Sequence, residues 1–157
     1  MDKITVAVPC YNEEPVLDLF YSAITAVAKE FPGTEFDFLF IDDGSRDNTL
    51  GKVQSFAQKD SRVKYISFSR NFGKEAGIYA GLENATGDYV VIMDADLQDP
   101  PSLLPEMYRA ITEEGYDSVG SRRVTRKGEP PLRSFFARLF YNCLLYTSDA
   151  ADDLIGV

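Results

Sequence analysis

The chain has 157 residues, 45% hydrophobic and 13% aromatic, with a formal net charge of −9. That length can bury one substantial core, about one domain, and the acidity argues against a nucleic-acid binder, which would carry a basic face. There is no histidine, which excludes His-based metal sites and His-dependent triads, and Cys10 and Cys143 lie too far apart to suggest a disulfide framework, which suits a reducing compartment.

The first apolar run, Ile4-Thr5-Val6-Ala7-Val8, predicts a strand at about 4–8, and a helical stretch follows at about 13–31. Between them stands Pro9-Cys10-Tyr11-Asn12-Glu13-Glu14, which offers a rigid turn, an aromatic face and acids. Tyr11 reads as a stacking residue or as a half-buried core tyrosine, and Asn12 and Glu13 as site residues or as a helix N-cap with a first-turn acid. A second strand at about 36–41 ends in Asp42-Asp43-Gly44-Ser45, with Asp47 a plausible cap for a helix at about 47–59. Further strands are predicted at about 63–68, 89–93 and 117–121, and further helices at about 73–85 and 101–115, with Gly33, Gly87 and Gly115 where helices should stop. Repeated βα alternation of this kind predicts an α/β fold, a Rossmann-like mainly parallel sheet with helices on both faces and right-handed crossovers.

The run Tyr89-Val90-Val91-Ile92-Met93 reads as a strand buried on both faces, and Asp94-Ala95-Asp96 follows it directly. Ligands in open α/β sheets gather at the carboxyl ends of strands, and two carboxylates there suit Mg²⁺ or Mn²⁺ bridging a pyrophosphate. Taken alone, the same pair also suits a turn or a helix cap. Val124 to Pro131, with Arg126, Lys127 and Pro130-Pro131, reads as a mobile basic loop. No signal peptide is visible at Met1-Asp2-Lys3, and no apolar stretch approaches the roughly 20 residues of a membrane span, so the chain as written reads as soluble.

Five blocks together carry a resemblance: Val8 to Glu14, Ile41 to Asp47, Ser69-Arg70-Asn71-Phe72-Gly73-Lys74, Ala85-Thr86-Gly87-Asp88, and Met93 to Pro100. In order and spacing they resemble family-2 glycosyltransferases of the GT-A fold, and more narrowly the bacterial polyprenyl-phosphate glycosyltransferases related to dolichyl-phosphate mannose synthases. The resemblance covers residues 3 to about 142. It implies a nucleoside pocket at Pro9, Tyr11, Glu13, Ile41 and Asp43, and a metal and diphosphate motif at Asp94, Ala95 and Asp96, with Asp96 favoured for direct ligation. It also implies that Gln98 helps to hold the metal or phosphate and that Arg122 faces the donor phosphates, where a guanidinium bonds bidentately. Arg123, Arg126 and Lys127 stay open between solvated charges and contacts to acceptor phosphate or anionic membrane.

The implied activity is inverting, metal-dependent transfer of a hexose from a nucleoside diphosphate sugar, UDP-glucose favoured, to a polyprenyl phosphate, with Mg²⁺ or Mn²⁺ as cofactor. The parent would act at the cytoplasmic face of the bacterial inner membrane, reached through C-terminal segments that this chain lacks, whereas the fragment itself would be soluble in the cytoplasm. Residues 1–142 are expected to form the donor-binding catalytic domain, incomplete at its C-terminal end, where Leu132 to Asn142 begins an amphipathic helix. Residues 143–157 look instead like the translation of a transposase-end adapter read in frame, a non-native tail; without its three aspartates the chain is still acidic. The alternative is a non-catalytic module that binds the nucleotide sugar without turnover. A dinucleotide-dependent oxidoreductase is disfavoured because no Gly-rich fingerprint follows the first strand, and a nucleotidyltransferase because no basic Gly-rich phosphate loop stands near the N-terminus.

Overall fold

Among the described residues four parallel strands form the sheet: β1 (Lys3–Cys10), β2 (Glu35–Asp42), β3 (Val63–Ser67) and β4 (Tyr89–Ile92), in spatial order β3-β2-β1-β4. They alternate with helices α1 (Leu17–Ala28), α2 (Thr49–Lys59), α3 (Lys74–Asn84) and α4 (Leu104–Glu114), the last entered through a 3-10 turn at Pro101–Leu103. The computed structural model describes residues 1–121, within which Met1–Gly120 forms one unit. Arg122, the basic loop at 124–131, the segment 132–142 and the tail 143–157 lie outside the described residues.

The strand order explains the helix placement. From β1 the chain steps through β2 to β3 in one direction, then returns across β1 to β4, so right-handed crossovers set α3 on the face opposite α1 and α2. On the α1/α2 face, Ile4, Val6, Val8, Phe36, Phe38, Phe40 and Val63 meet Leu17, Phe20, Ile24, Val53 and Phe56 in the main core. Eight of these side chains, all aromatic or branched, are fully enclosed, as period-2 strands and an amphipathic helix require. The other face has a smaller core of Ala7, Leu39 and Ile41 with Ile66, Phe68 and Ala80.

Packing on this second face is close because α3 presents glycines. A methyl group on Gly77 would stand 3.3 Å from the Pro9 Cβ, and one on Gly81 would stand 3.0 Å from the Ala7 Cβ and 3.2 Å from the Ile41 Cδ1. Spaced four apart, the two glycines share one helix face and let it settle on β1 and β2.

The structure departs from two of the expected strands. No strand forms at 117–121: Tyr116, Asp117, Ser118 and Gly120 are exposed, and a segment with a single β-branched residue and no apolar face to bury gains nothing from extension. The run Tyr89–Met93 is not buried on both faces either. Among the described residues its strand lies at the sheet edge, with Tyr89, Val91 and Met93 turned to the main core and Val90 (39%) and Ile92 (37%) exposed on the side that α3 covers only in part. The helix stops are also unequal. Gly115 closes α4 in a left-handed conformation at φ 77°, whereas Gly87 fits a tight passage where a Cβ would lie 2.7 Å from the Lys3 carbonyl oxygen, beyond the end of α3.

Candidate active site

The reversal of strand order between β1 and β4 opens a crevice at their carboxyl ends, the place where open α/β sheets bind ligands. A cleft of about 400 Å³ lies there, walled by the residues that follow β1 and β4, by Asp43 after β2, and by the start of α3. Pro9, Tyr11, Glu13, Asp43, Asp94, Ala95 and Asp96, all singled out in the sequence, line it together. Ile41 and Gln98 do not. Ile41 is fully buried one layer behind, against Gly77 and Gly81, and the Gln98 backbone N–H donates to Asp96 Oδ1 at 2.9 Å, holding that carboxylate in a short turn.

The rim loops are tied to one another by side chain to backbone bonds. The Asn12 N–H donates to Ser45 Oγ at 3.0 Å, and the Asn12 side-chain oxygen accepts from the Arg46 N–H at 2.8 Å. Asn12 adopts φ 56°, a left-handed conformation that asparagine tolerates, so it bridges two loops rather than capping α1. Glu13 N–H donates to Thr49 Oγ1 at 2.8 Å, Glu14 N–H to Asp47 Oδ2 at 3.2 Å, and Asn48 N–H to Glu14 Oε2 at 3.0 Å. Asp47 also accepts from the Thr49 N–H at 3.0 Å, but it stands one residue before Asn48, the N-cap of α2, so it braces the helix start without capping it.

Asp43 has a second task. Its two oxygens accept the Phe72 N–H at 2.7 Å and the Gly73 N–H at 2.9 Å, which anchors the amino end of α3 to the end of β2. Gly73 turns there at φ 99°, a conformation that favours glycine. Gly44 is still more constrained, since at φ 65° an added Cβ would lie 2.4 Å from the Arg70 carbonyl carbon.

The cleft's electrostatics are acidic. Burial, then the charges of Asp96, Asp94 and Asp47, raise the Glu13 carboxyl above its ordinary pKa. Burial likewise pushes the Cys10 thiol far up, aided by Glu13, Asp42 and Asp94; the thiol donates to the Val8 carbonyl at 3.3 Å, so it is neither a thiolate nucleophile nor a ready metal ligand. Lys74 Nζ meets Asp94 Oδ2 at 2.5 Å. Lys74, with Asn71 and Gly73 in the same wall, stands in one of the five resembling blocks, but none of the roles drawn from the resemblance falls on it. The available signal was a cation at the start of a helix, where the helix dipole disfavours it unless nearby carboxylates demand it.

A divalent cation suits this donor set. Asp94 and Asp96 offer hard oxygens, Asp94 already attracts a cationic group, and the raised Glu13 carboxyl registers the unbalanced negative field. Among the described residues no group of three or more Asp, Glu or Cys is gathered to hold a metal by itself, so ligand oxygens and water would complete its shell. No helix among the described residues is long and apolar enough to cross a membrane.

Comparison with known proteins agrees with this arrangement. The model of the family described as glycosyl transferase family 2 matches residues 5–148. The chain is 46% identical over 140 residues to the protein CsbB of Bacillus subtilis (strain 168), covering 88% of this chain and 41% of that one. It is 37% identical over 139 residues to the bactoprenol glucosyl transferase of Shigella phage SfX, covering 88% and 45%. The chain therefore spans less than half the length of these relatives. Among solved structures, the mannosyltransferase PcManGT of Pyrobaculum calidifontis, in complex with GDP-Man and Mn²⁺, superposes with a TM-score of 0.59 at 25% identity, over 71% of this chain and 33% of that one. With its parallel α/β sheet of GT-A type and its acidic cleft at the strand ends, the chain belongs to glycosyl transferase family 2.

Proposed function

We propose that this chain is the donor-binding part of an inverting glycosyltransferase that moves a hexose from a nucleoside diphosphate sugar, UDP-glucose foremost, to a polyprenyl phosphate. One observation carries the reading: Tyr11, Glu13, Asp43, Asp94 and Asp96, drawn from three strand ends, wall one cleft at the switch point of the sheet. The glucosyl and bactoprenol assignments draw on the 37% identical phage relative.

In this reading Tyr11, 40% exposed at the rim, offers a ring face to the base, and Pro9 stiffens the wall beside it. Asp43 keeps spare lone pairs after serving Phe72 and Gly73, and these accept ribose hydroxyls. Asp94 and Asp96 would hold a Mg²⁺ or Mn²⁺ ion, with the Gln98 backbone N–H fixing the Asp96 carboxylate. When bound, the ion supplies Lewis-acid stabilisation of charge on the departing diphosphate. The acceptor phosphate, already an anion, forms the new bond to the anomeric carbon as the bond to the diphosphate oxygen breaks on the opposite side, so no general base is assigned. Arg122 is proposed as a further phosphate contact. The parent protein would work at the cytoplasmic face of the membrane that holds its lipid acceptor.

Calorimetric titration of UDP, GDP and their sugars into the full chain, with and without Mn²⁺, tests the donor site. Manganese-dependent binding of one nucleotide, lost in Asp96→Asn, is expected. No binding of any of them by a chain with a cooperative melt overturns the reading.

A further inference from the structure

We propose that Lys74 couples divalent-cation binding to nucleotide binding: without nucleotide its ammonium competes with the metal for Asp94, and with both ligands present it turns to the diphosphate. The inference rests on the donor-site reading above. Lys74 Nζ lies 2.5 Å from Asp94 Oδ2, with the two side chains 57% and 37% exposed, so the pair is accessible and exchangeable. A metal taking that carboxylate competes with the ammonium for its charge.

The backbone beneath Lys74 is fixed while its side chain is not. Asp43 clamps the Phe72 and Gly73 N–H groups, and Gly77 and Gly81 seat α3 against Pro9, Ala7 and Ile41. Lys74 therefore stays in the cleft wall whichever partner it holds, and four flexible methylenes let its three donors swing from carboxylate to phosphate. Its position opposes the dipole of α3, so helix stability does not account for a cation there. Among the described residues lining the cleft, Lys74 is the one basic side chain against Glu13, Asp43, Asp94 and Asp96.

Coupling follows from these competing partners. Metal binding alone takes from the ammonium the carboxylate it holds, whereas a diphosphate gives it a new counter-charge. Each ligand then raises the affinity for the other by one common factor.

The test is Mn²⁺ titration of the full chain, read by electron paramagnetic resonance of the free ion, with and without UDP. Wild type is compared with Lys74→Met and Lys74→Arg. Lys74→Met is expected to bind Mn²⁺ alone about three- to fivefold more tightly, the scale of a partly exposed ion pair. UDP's enhancement of Mn²⁺ affinity should fall about tenfold in that variant, within the usual range of coupling between sites. Lys74→Arg, which keeps a cation, should stay near wild type for Mn²⁺ alone. Unchanged or weaker Mn²⁺ binding by Lys74→Met, or an undiminished UDP effect, overturns the coupling while Mn²⁺-dependent UDP binding by the wild type leaves the donor site standing. Wild-type chain that binds Mn²⁺ but no nucleotide overturns the donor site, and the coupling with it.

Discussion

Glu13 shows how a site residue costs the fold something. Its carboxyl is raised by burial first and then by Asp96, Asp94 and Asp47, so the folded state holds the proton more tightly than the unfolded chain does. For a raised acid the sign is fixed: full stability is present below the ordinary glutamate range, and it is lost as pH rises through the raised value. Glu13→Gln should therefore melt higher than wild type at pH 7 to 8, with the gap closing toward pH 4, and should lose nucleotide affinity. Melts across that range check the sign, and a variant less stable at neutral pH would refute it. Asp43 supports the fold through hydrogen bonds, its buried oxygens accepting two backbone N–H groups at the head of α3. Asp43→Asn turns an amine toward one of those N–H groups and should cost about 1–3 kcal/mol in urea unfolding. Most of this site was legible at the residue scale, since acids after apolar runs mark strand ends. The place of the Ser69 to Lys74 block in the cleft was not, because which wall a helix start will form depends on where its helix packs.

That packing belongs to the element scale, and it rests on the two glycines of α3. Gly81 leaves its helix 3.0 Å from the Ala7 Cβ as measured from an added methyl, so Gly81→Val must lift α3 or push β1 aside. Overpacking of this kind costs about 1–3 kcal/mol. Because α3 carries Gly73 and Lys74 into the cleft, the same substitution should weaken Mn²⁺-dependent UDP binding although Gly81 touches no ligand. Unaltered stability and affinity together would show that α3 docks with slack. The helix at about 73–85 was readable from the βα alternation, whereas the role of Gly77 and Gly81 was not, because it depends on the strands behind them. The misread strand ends have a matching cause. Val90 and Ile92 have the composition of a doubly buried strand, but burial depends on what covers β4, and Asp117 to Ser121 lacks the apolar face that would make an edge partner.

Across the whole molecule the cleft draws on β1, β2, β4 and α3 at once, so a ligand there should brace most of the sheet. The chain's net charge of −9 opposes a nucleoside diphosphate, and the described cleft wall answers four acids with one lysine. Neither UDP without metal nor metal without UDP should therefore stabilise the fold much. Together they cancel each other's charge in the cleft. At concentrations about a hundred times the dissociation constant, binding to the native state alone adds about 2.7 kcal/mol. For a domain of this size each kcal/mol moves the melting temperature by about 2–4 °C, so Mn²⁺ with UDP should raise it by about 5–10 °C. Either ligand alone should give a small part of that rise, and Asp96→Asn should abolish the synergy while melting normally without ligands. Calorimetric melts with neither, each and both ligands check this. Equal shifts from Mn²⁺ alone and from Mn²⁺ with UDP would place the ion at an independent site on the acidic surface, and the cleft would then lose its claim to the metal.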